Sequence, residues 1–356
     1  MTHRMTGLSV QHCVTILMPC FNASKYLAQA LNSILEQSHH NLEILFLDDG
    51  STDDSLQIAR KIAKCDARLR IYSSDENVGI IKSRNRLLDL CTTDYAAWMD
   101  CDDIAHPERI AMQIQFMLEN SGYVACTCHY IRQGLGEDKV ITIPPQTISR
   151  EYLLFYNYVL NPGSFFDAAL CKRKKVRFRE WISGASDYLF WVELAQFGQI
   201  GVVEKMLMTY RLHAAQETVF HKQRQLAGVL EIVQYQLSKL GCRADTQDLA
   251  RLLGYPARIL DLDYRLSHLF NSSKIIKCVM HNIQQHEFTA EEVEYLFIVC
   301  YRSLARRTGI IGFICFVVLF KRKGLKQCRQ LGLGLLWAAF KTDVKRLAQT
   351  NARGSR

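Results

Sequence analysis

Among the 13 cysteines of this 356-residue chain no two stand in C-x-x-C spacing, which removes the usual zinc-ribbon and thiol-redox patterns. Cys126 and Cys128 in "VACTCHY" would share one face of a strand, but no second pair accompanies them. They read as core thiols, like Cys20, Cys101 and Cys315, which also sit in apolar runs. An odd number of scattered thiols suits a reducing cytoplasm. The opening "MTHRMTGLSVQHC" lacks the apolar core of a secretory signal, so export is not expected. No apolar stretch reaches the roughly twenty residues of a membrane-spanning helix. There is also no Gly/Ser linker, no internal repeat and no low-complexity tract.

Positive charge is present but unevenly placed. Between Tyr301 and Arg346 there are eleven Lys or Arg residues and one acid, Asp343, so that segment carries +10 of a net +9. Two short apolar segments, "TGIIGFICFVVLF" (308–320) and "LGLGLLWAAF" (331–340), lie between these charges. Basic flanks beside short apolar segments suit a helix lying in the interface of an anionic inner-membrane surface. The competing reading is a buried helix pair with a basic solvent face. Nucleic acid is not expected, because little aromatic character is interleaved with the charge.

Residues 12–130 alternate strand and helix patterns: strands at 14–18, 42–47, 68–72 and 95–99, helices at 24–37, 56–63 and 80–90, and a helix starting near Pro107. Ser24 is available as an N-cap. This β-α-β repetition predicts a mainly parallel sheet with helices on both faces. In such sheets ligands lie at the carboxyl ends of the strands. There the sequence places Asn22, the Asp48–Asp49 pair and Asp100, Asp102 and Asp103. Further on, the pattern predicts a helix at 149–158, a basic turn at 171–180, a helix at 186–198 and a strand at 202–213. From about 221 it is wholly helical. The expected organisation is a catalytic domain over 1–220 (nucleotide side 12–130, acceptor side 131–220) and a helical region over 221–356.

The acids are chemically informative. Capping accounts for Ser51 to Asp54 in "DDGSTDD" but not for the apolar-flanked Asp48–Asp49 pair. Capping by Asp103 would likewise leave Asp100 and Asp102 unexplained. Carboxylates crowded together repel, and a hard divalent cation such as Mg²⁺ or Mn²⁺ relieves that repulsion while keeping positions for phosphate oxygens. Asp187 opens a helix, where an acid also complements the dipole, and a lone His213 carries little weight by itself.

The stretches "VTILMPCFNASKYLAQALNSILEQ", "EILFLDDGSTDDS", "ENVGIIKSRNRLLDL", "YAAWMDCDDIAHPERI", "SDYLFWVELAQFG" and "YRLHAAQET", in this order, resemble the inverting family 2 glycosyltransferases of the GT-A, Rossmann-like fold. The resemblance covers about residues 12–218. It implies that the backbone around Pro19 to Phe21, with Asn22 beside it, and the side chain of Asp49 hold the nucleotide base. Arg84 would contact the base or diphosphate, and Asp100 the ribose or the metal. Asp102 would bind the cation, His213 would close over it with Arg211, and Asp187 would be the general base. The donor implied is a nucleotide sugar, a UDP-sugar foremost. The acceptor would be a glycan or lipid-linked hydroxyl in cell-surface polysaccharide or lipopolysaccharide synthesis, on the cytoplasmic face of the membrane. Two departures concern the acceptor: Ser186 stands where the family commonly has Glu, and "NPGSFF" (161–166) begins with Asn where His is frequent.

Two other readings use the same acids. A sugar-phosphate nucleotidyltransferase needs a glycine-rich triphosphate loop after the first strand, and "MPCFNASKY" contains no glycine. A catalytically inactive sugar-nucleotide-binding or scaffold protein would have no need for the full set of acids.

Overall fold

The computed structural model describes residues 12–134, 136–143, 146–182, 184–213, 222–253 and Ile275. The chain divides into two units, Met1–Val229 and Leu230–Arg356. In chain order the elements of the first are β1 (Val14–Cys20), α1 (Ser24–Leu35), β2 (Leu42–Asp48), α2 (Ser55–Ala63), β3 (Leu69–Ser73), α3 (Ile80–Leu90), β4 (Tyr95–Trp98), β5 (Ile104–Ala105) and α4 (Arg109–Glu119). They continue with β6 (Tyr123–Gln133), β7 (Lys139–Ile141), β8 (Thr147–Ile148), β9 (Phe165–Asp167), α5 (Ala168–Lys174), α6 (Ser186–Leu194) and β10 (Gln199–Arg211). Helix α7 (Lys222–Lys239) crosses the division, and α8 (Thr246–Leu252) follows it. In the second unit Leu230, Ile232, Val233, Leu237, Leu249 and Leu252 are buried. The expected helices beyond 253 and the basic, apolar segment at 301–346 lie outside the described residues. Among the described residues no helix is long and apolar enough to cross a membrane.

One sheet runs in the order β3-β2-β1-β4-β9-β6-β10-β5, with β7 on β6 and β8 on β10. Strands β3, β2, β1 and β4 are mutually parallel, as the β-α-β pattern predicts. Strand β9 is antiparallel to both β4 and β6, and β10 is parallel to β6. The sheet is therefore mainly parallel, as expected, with β9 and the short β5, β7 and β8 running antiparallel to their neighbours. Two reversals restore the direction, so β10 runs parallel to β1 and β4, and its carboxyl end reaches the same rim.

The packing follows the period-2 alternation of strands. Val14, Ile16 and Met18 face a cluster with Leu27, Ala30, Leu31 and Ile34 of α1 and Ile110, Ile114 and Met117 of α4. The opposite parity carries Trp98 and Phe166, whose rings stack 6.0 Å apart, and Phe178 stacks on Phe190 at 4.7 Å. Pro19 is tolerated inside β1 because its carbonyl accepts the Cys101 thiol (3.3 Å) on the side where β4 has already ended, so no ladder N–H is required there.

Several local expectations change. Ser24 does not cap α1. The Ala23 and Ser24 amides donate instead to Ser55 Oγ (2.8 Å) and Asp53 Oδ2 (2.9 Å), so the next loop caps this helix. The expected helix at 149–158 is a single 3-10 turn, Tyr152–Leu154. The Asn157 side chain accepts the Val159 amide (3.0 Å), and Tyr188 Oη donates to Leu153 O (2.6 Å), so local and tertiary bonds replace the helical ladder. The expected basic turn at 171–180 begins as the end of α5, whose N-cap Asp167 accepts from the Leu170 amide at 2.6 Å.

Candidate active site

The rim is built where β1, β2, β4 and β10 end. At the end of β2, Asp48 Oδ2 accepts the Ser51 amide (3.1 Å), and Asp49 accepts the Val78 and Gly79 amides at Oδ1 and Oδ2 (3.0 and 2.9 Å). Both acids are buried. Asp49 thus fastens the loop before α3 to the β2 turn. Gly50, with φ +71°, allows this close approach, since a Cβ there would meet the Glu76 carbonyl carbon at 2.5 Å. Asn22, with φ +50°, uses its side-chain oxygen to accept the Thr52 amide (2.8 Å), and its own amide donates to Ser51 Oγ (2.9 Å). Its side chain therefore builds the loop. Phe21 beside it is exposed.

From α3, Arg84 reaches the end of β4. Its guanidinium lies beside the edge-on Trp98 and Phe178 pair (5.9 and 5.2 Å to the ring centroids), with Nη2 3.7 Å from Asp100 Oδ1. Flanking aromatic rings hold the cation in place while leaving its edge for an anion. The Asp100 side chain remains 30% exposed, yet its carboxyl lies deep enough that burial raises its pKa to about 6. Arg84 opposes the rise, and the charges of Asp102 and Asp187 add to it.

Asp100, Asp102 and Asp103 offer oxygen atoms within 4.8 Å of one another. Strand β5 follows directly and pairs antiparallel with β10 (Thr209 with Ile104), which sets this loop against residues 211–213. Arg211 Nε donates to the Asp102 carbonyl, and its Nη1 donates to Gln29 Oε1 (2.6 Å). His213 Nε2 lies 3.0 Å from Asp102 Oδ2, and its ring stacks on Tyr26, with centroids 4.7 Å apart. Asp103 is fully buried and accepts the Arg211 amide at Oδ1 (2.9 Å). It ties β10 to the acid loop and does not start α4, whose N-cap is Glu108. Burial, then the charges of Asp102 and Asp100, push its carboxyl well above the usual range.

Oxygen donors at this spacing, beside an imidazole nitrogen, fit a hard or borderline divalent cation such as Mg²⁺ or Mn²⁺. Among the described residues the buried Asp103 Oδ2 has no hydrogen-bond partner, which fits an acid loop organised around a further ligand. Cys126 and Cys128 are buried core thiols facing Gln113 O and Gly163 O (3.9 and 3.6 Å), and burial raises both.

Asp187 stands in the first turn of α6, after Ala185 in left-handed conformation (φ +53°). Asn157 Nδ2 donates to its Oδ2 at 3.4 Å. Its charge is felt at Asp100, so the two acids belong to one electrostatic neighbourhood. Sequence reasoning did not single out Arg109. This residue is fully buried under the acid loop, where its guanidinium donates to Trp98 O (2.8 Å), Ser164 O (3.0 Å) and Gln113 Oε1 (3.1 Å). The signal available was an arginine on the apolar face of a helix, two residues after Pro107.

Residues 15–178 match the family model described as glycosyl transferase family 2. An uncharacterized glycosyltransferase of Haemophilus influenzae is 29% identical, over 76% of this chain and 85% of its own length. The chondroitin synthase of Escherichia coli is 26% identical over 65% of this chain and 33% of its length, so the chain spans about a third of it. Staphylococcus aureus TarS (residues 1–349), in complex with UDP-GlcNAc, superposes with TM-score 0.56 at 17% identity, covering 83% of this chain and 85% of TarS. The mannosyltransferase PcManGT from Pyrobaculum calidifontis, in complex with GDP-Man and Mn²⁺, gives TM-score 0.51 at 14% identity, covering 92% and 86%. These likenesses place the mixed α/β sheet in the GT-A class of folds.

Proposed function

We propose that this chain, whose residues 15–178 match the family model of glycosyl transferase family 2, transfers a sugar, with inversion, from a nucleotide sugar to an acceptor hydroxyl. The donor is a UDP-sugar and the acceptor a glycan or lipid-linked sugar, in polysaccharide synthesis at the cytoplasmic face of the inner membrane. The observation that carries this reading is the convergence of Asp100, Asp102 and Asp103 with His213 at one rim, beside Arg84. The UDP-GlcNAc complex of TarS and the chondroitin synthase relative support the donor and the pathway class. The Mn²⁺ complex of PcManGT supports the cation.

In this reading the Pro19–Phe21 backbone, Asn22 and Asp49 frame the base pocket, with Asp49 closing it by holding the Val78–Gly79 loop. Arg84, held beside two aromatic rings, presents its guanidinium to the diphosphate. Asp102, assisted by Asp100 and His213, would hold Mn²⁺ or Mg²⁺. When bound, that cation offsets charge on the leaving diphosphate. Arg211 keeps the Asp102 loop and the 211–213 end together. Asp187 accepts the proton of the acceptor hydroxyl as its oxygen forms a bond to the anomeric carbon. The bond from that carbon to the diphosphate breaks, and its electron pair departs with the nucleoside diphosphate. One base on the face opposite the leaving group accounts for inversion.

The test is a calorimetric titration with UDP-, GDP- and dTDP-sugars, with and without Mn²⁺. One nucleotide sugar should bind, and chelation or Asp102→Asn should weaken it. If none of them bound, the reading would fall.

A further inference from the structure

The loop before β9 carries three tyrosines in seven residues, Tyr152, Tyr156 and Tyr158. Tyr156 is 57% exposed. Its ring packs against that of Tyr158 at 4.8 Å between centroids, and Tyr158 meets Tyr152 edge-on at 6.4 Å. A core explanation does not suit a ring this open, since large aromatic surface left in water is the informative exception. A donor-site explanation does not suit it either. The residues framing the nucleotide come from the ends of β1, β2 and β4, whereas the tyrosines flank Asn157, which donates to Asp187.

That position has a chemical meaning. A carboxylate can take a proton from a hydroxyl only within about 2.6–3.2 Å, so the molecule bearing the hydroxyl must be held beside it. A pyranose has an apolar C–H face and a polar edge. The flat apolar ring of tyrosine answers the first. Asn157 is itself fixed, its side-chain oxygen accepting the Val159 amide at 3.0 Å. Its flanking tyrosines therefore hold a set relation to Asp187. We propose that Tyr156 and Tyr158 form the acceptor subsite and stack the terminal sugar ring of a glycan acceptor next to Asp187. This assignment rests on the glycosyl-transfer reading and sharpens it: the acceptor is recognised by a sugar ring rather than by a lipid chain.

The full chain is to be titrated by saturation-transfer NMR with methyl glycosides of the common hexoses and N-acetylhexosamines. The variants are Tyr156→Ala, Tyr156→Phe and Tyr158→Leu, with nucleotide-sugar affinity and melting temperature measured alongside. At least one glycoside should bind the natural chain and Tyr156→Phe alike, and bind Tyr156→Ala about tenfold more weakly. Nucleotide-sugar affinity and melting temperature should stay unchanged in Tyr156→Ala. Should Tyr158→Leu melt early, the exposed Tyr156 pair alone decides the matter. No glycoside binding, or equal binding by Tyr156→Ala, overturns the proposal. So does a Tyr156→Ala variant whose defect is confined to phosphatidylglycerol vesicles, which would make the patch a membrane contact. Failure of nucleotide-sugar binding in the natural chain is a separate result that sinks the transfer reading, even where glycosides still bind.

Discussion

His213 Nε2 lies 3.0 Å from Asp102 Oδ2, joining the end of β10 to the acid loop across 111 positions of sequence. Tyr26 stacks on the imidazole, and its ring also lies under the Arg211 guanidinium at 4.8 Å. The ring of α1 thus orients both groups that β10 delivers to the site.

From this arrangement, Tyr26→Ala should weaken Mn²⁺ binding by about tenfold, as loss of a supporting residue behind a metal ligand commonly does. Tyr26→Phe should retain it. A calorimetric Mn²⁺ titration distinguishes the two, and equal affinity in all three proteins would remove Tyr26 from the site.

Asp187→Asn should preserve nucleotide-sugar affinity while lowering transfer by roughly 10²–10⁴, the usual contribution of a positioned general base. The measurement is nucleoside diphosphate release with acceptor present. Full turnover in that variant would overturn the assignment of Asp187 as the base.

The raised pKa of Asp100, about 6, has a defined sign. Between its ordinary carboxylate value and 6 the folded state holds a proton that the unfolded chain has released. The Asp100 contribution therefore favours folding at low pH and is lost as pH rises through about 6. Without cation, the difference in unfolding free energy between the natural chain and Asp100→Asn should shift in favour of the variant from pH 5 to pH 7. Since a cation needs the ionised carboxylate, apparent Mn²⁺ affinity should fall as pH drops below about 6. A pH-independent difference would contradict the placement of this carboxyl.

Arg109→Met should destabilise the fold by about 2–4 kcal/mol, because it strands the Trp98 and Ser164 carbonyls and Gln113 in a dry interior. Urea unfolding reads this directly as a lowered midpoint with an unchanged slope. A loss below about 0.5 kcal/mol, the range of ordinary surface substitutions, would mean that these carbonyls find other donors.

Much of the rim could be read from one dimension. The β-α-β rhythm of the first 130 residues is a local property, and in parallel strands it sends every carboxyl end, with Asp49 and Asp100–Asp103, to one side. The amphipathic spacing of α1 and α4 likewise follows from the helical period. The sequence by itself did not decide which carboxylate does what. Asp103 reads locally as a helix cap, yet it becomes the anchor of the Arg211 amide because β5 pairs with β10. Ser24 yields its capping role to Asp53 and Ser55, Asn157 turns its loop away from a helix, and Arg109 is buried among carbonyls. Periodicity records how a residue meets its neighbours three or four positions away. The bonds that reassign Ser24, Arg109 and Asp103 exist only once separate strands are packed side by side, and that of Asp103 to the Arg211 amide needs the reversal at β9 that turns β10 back to the rim of β1.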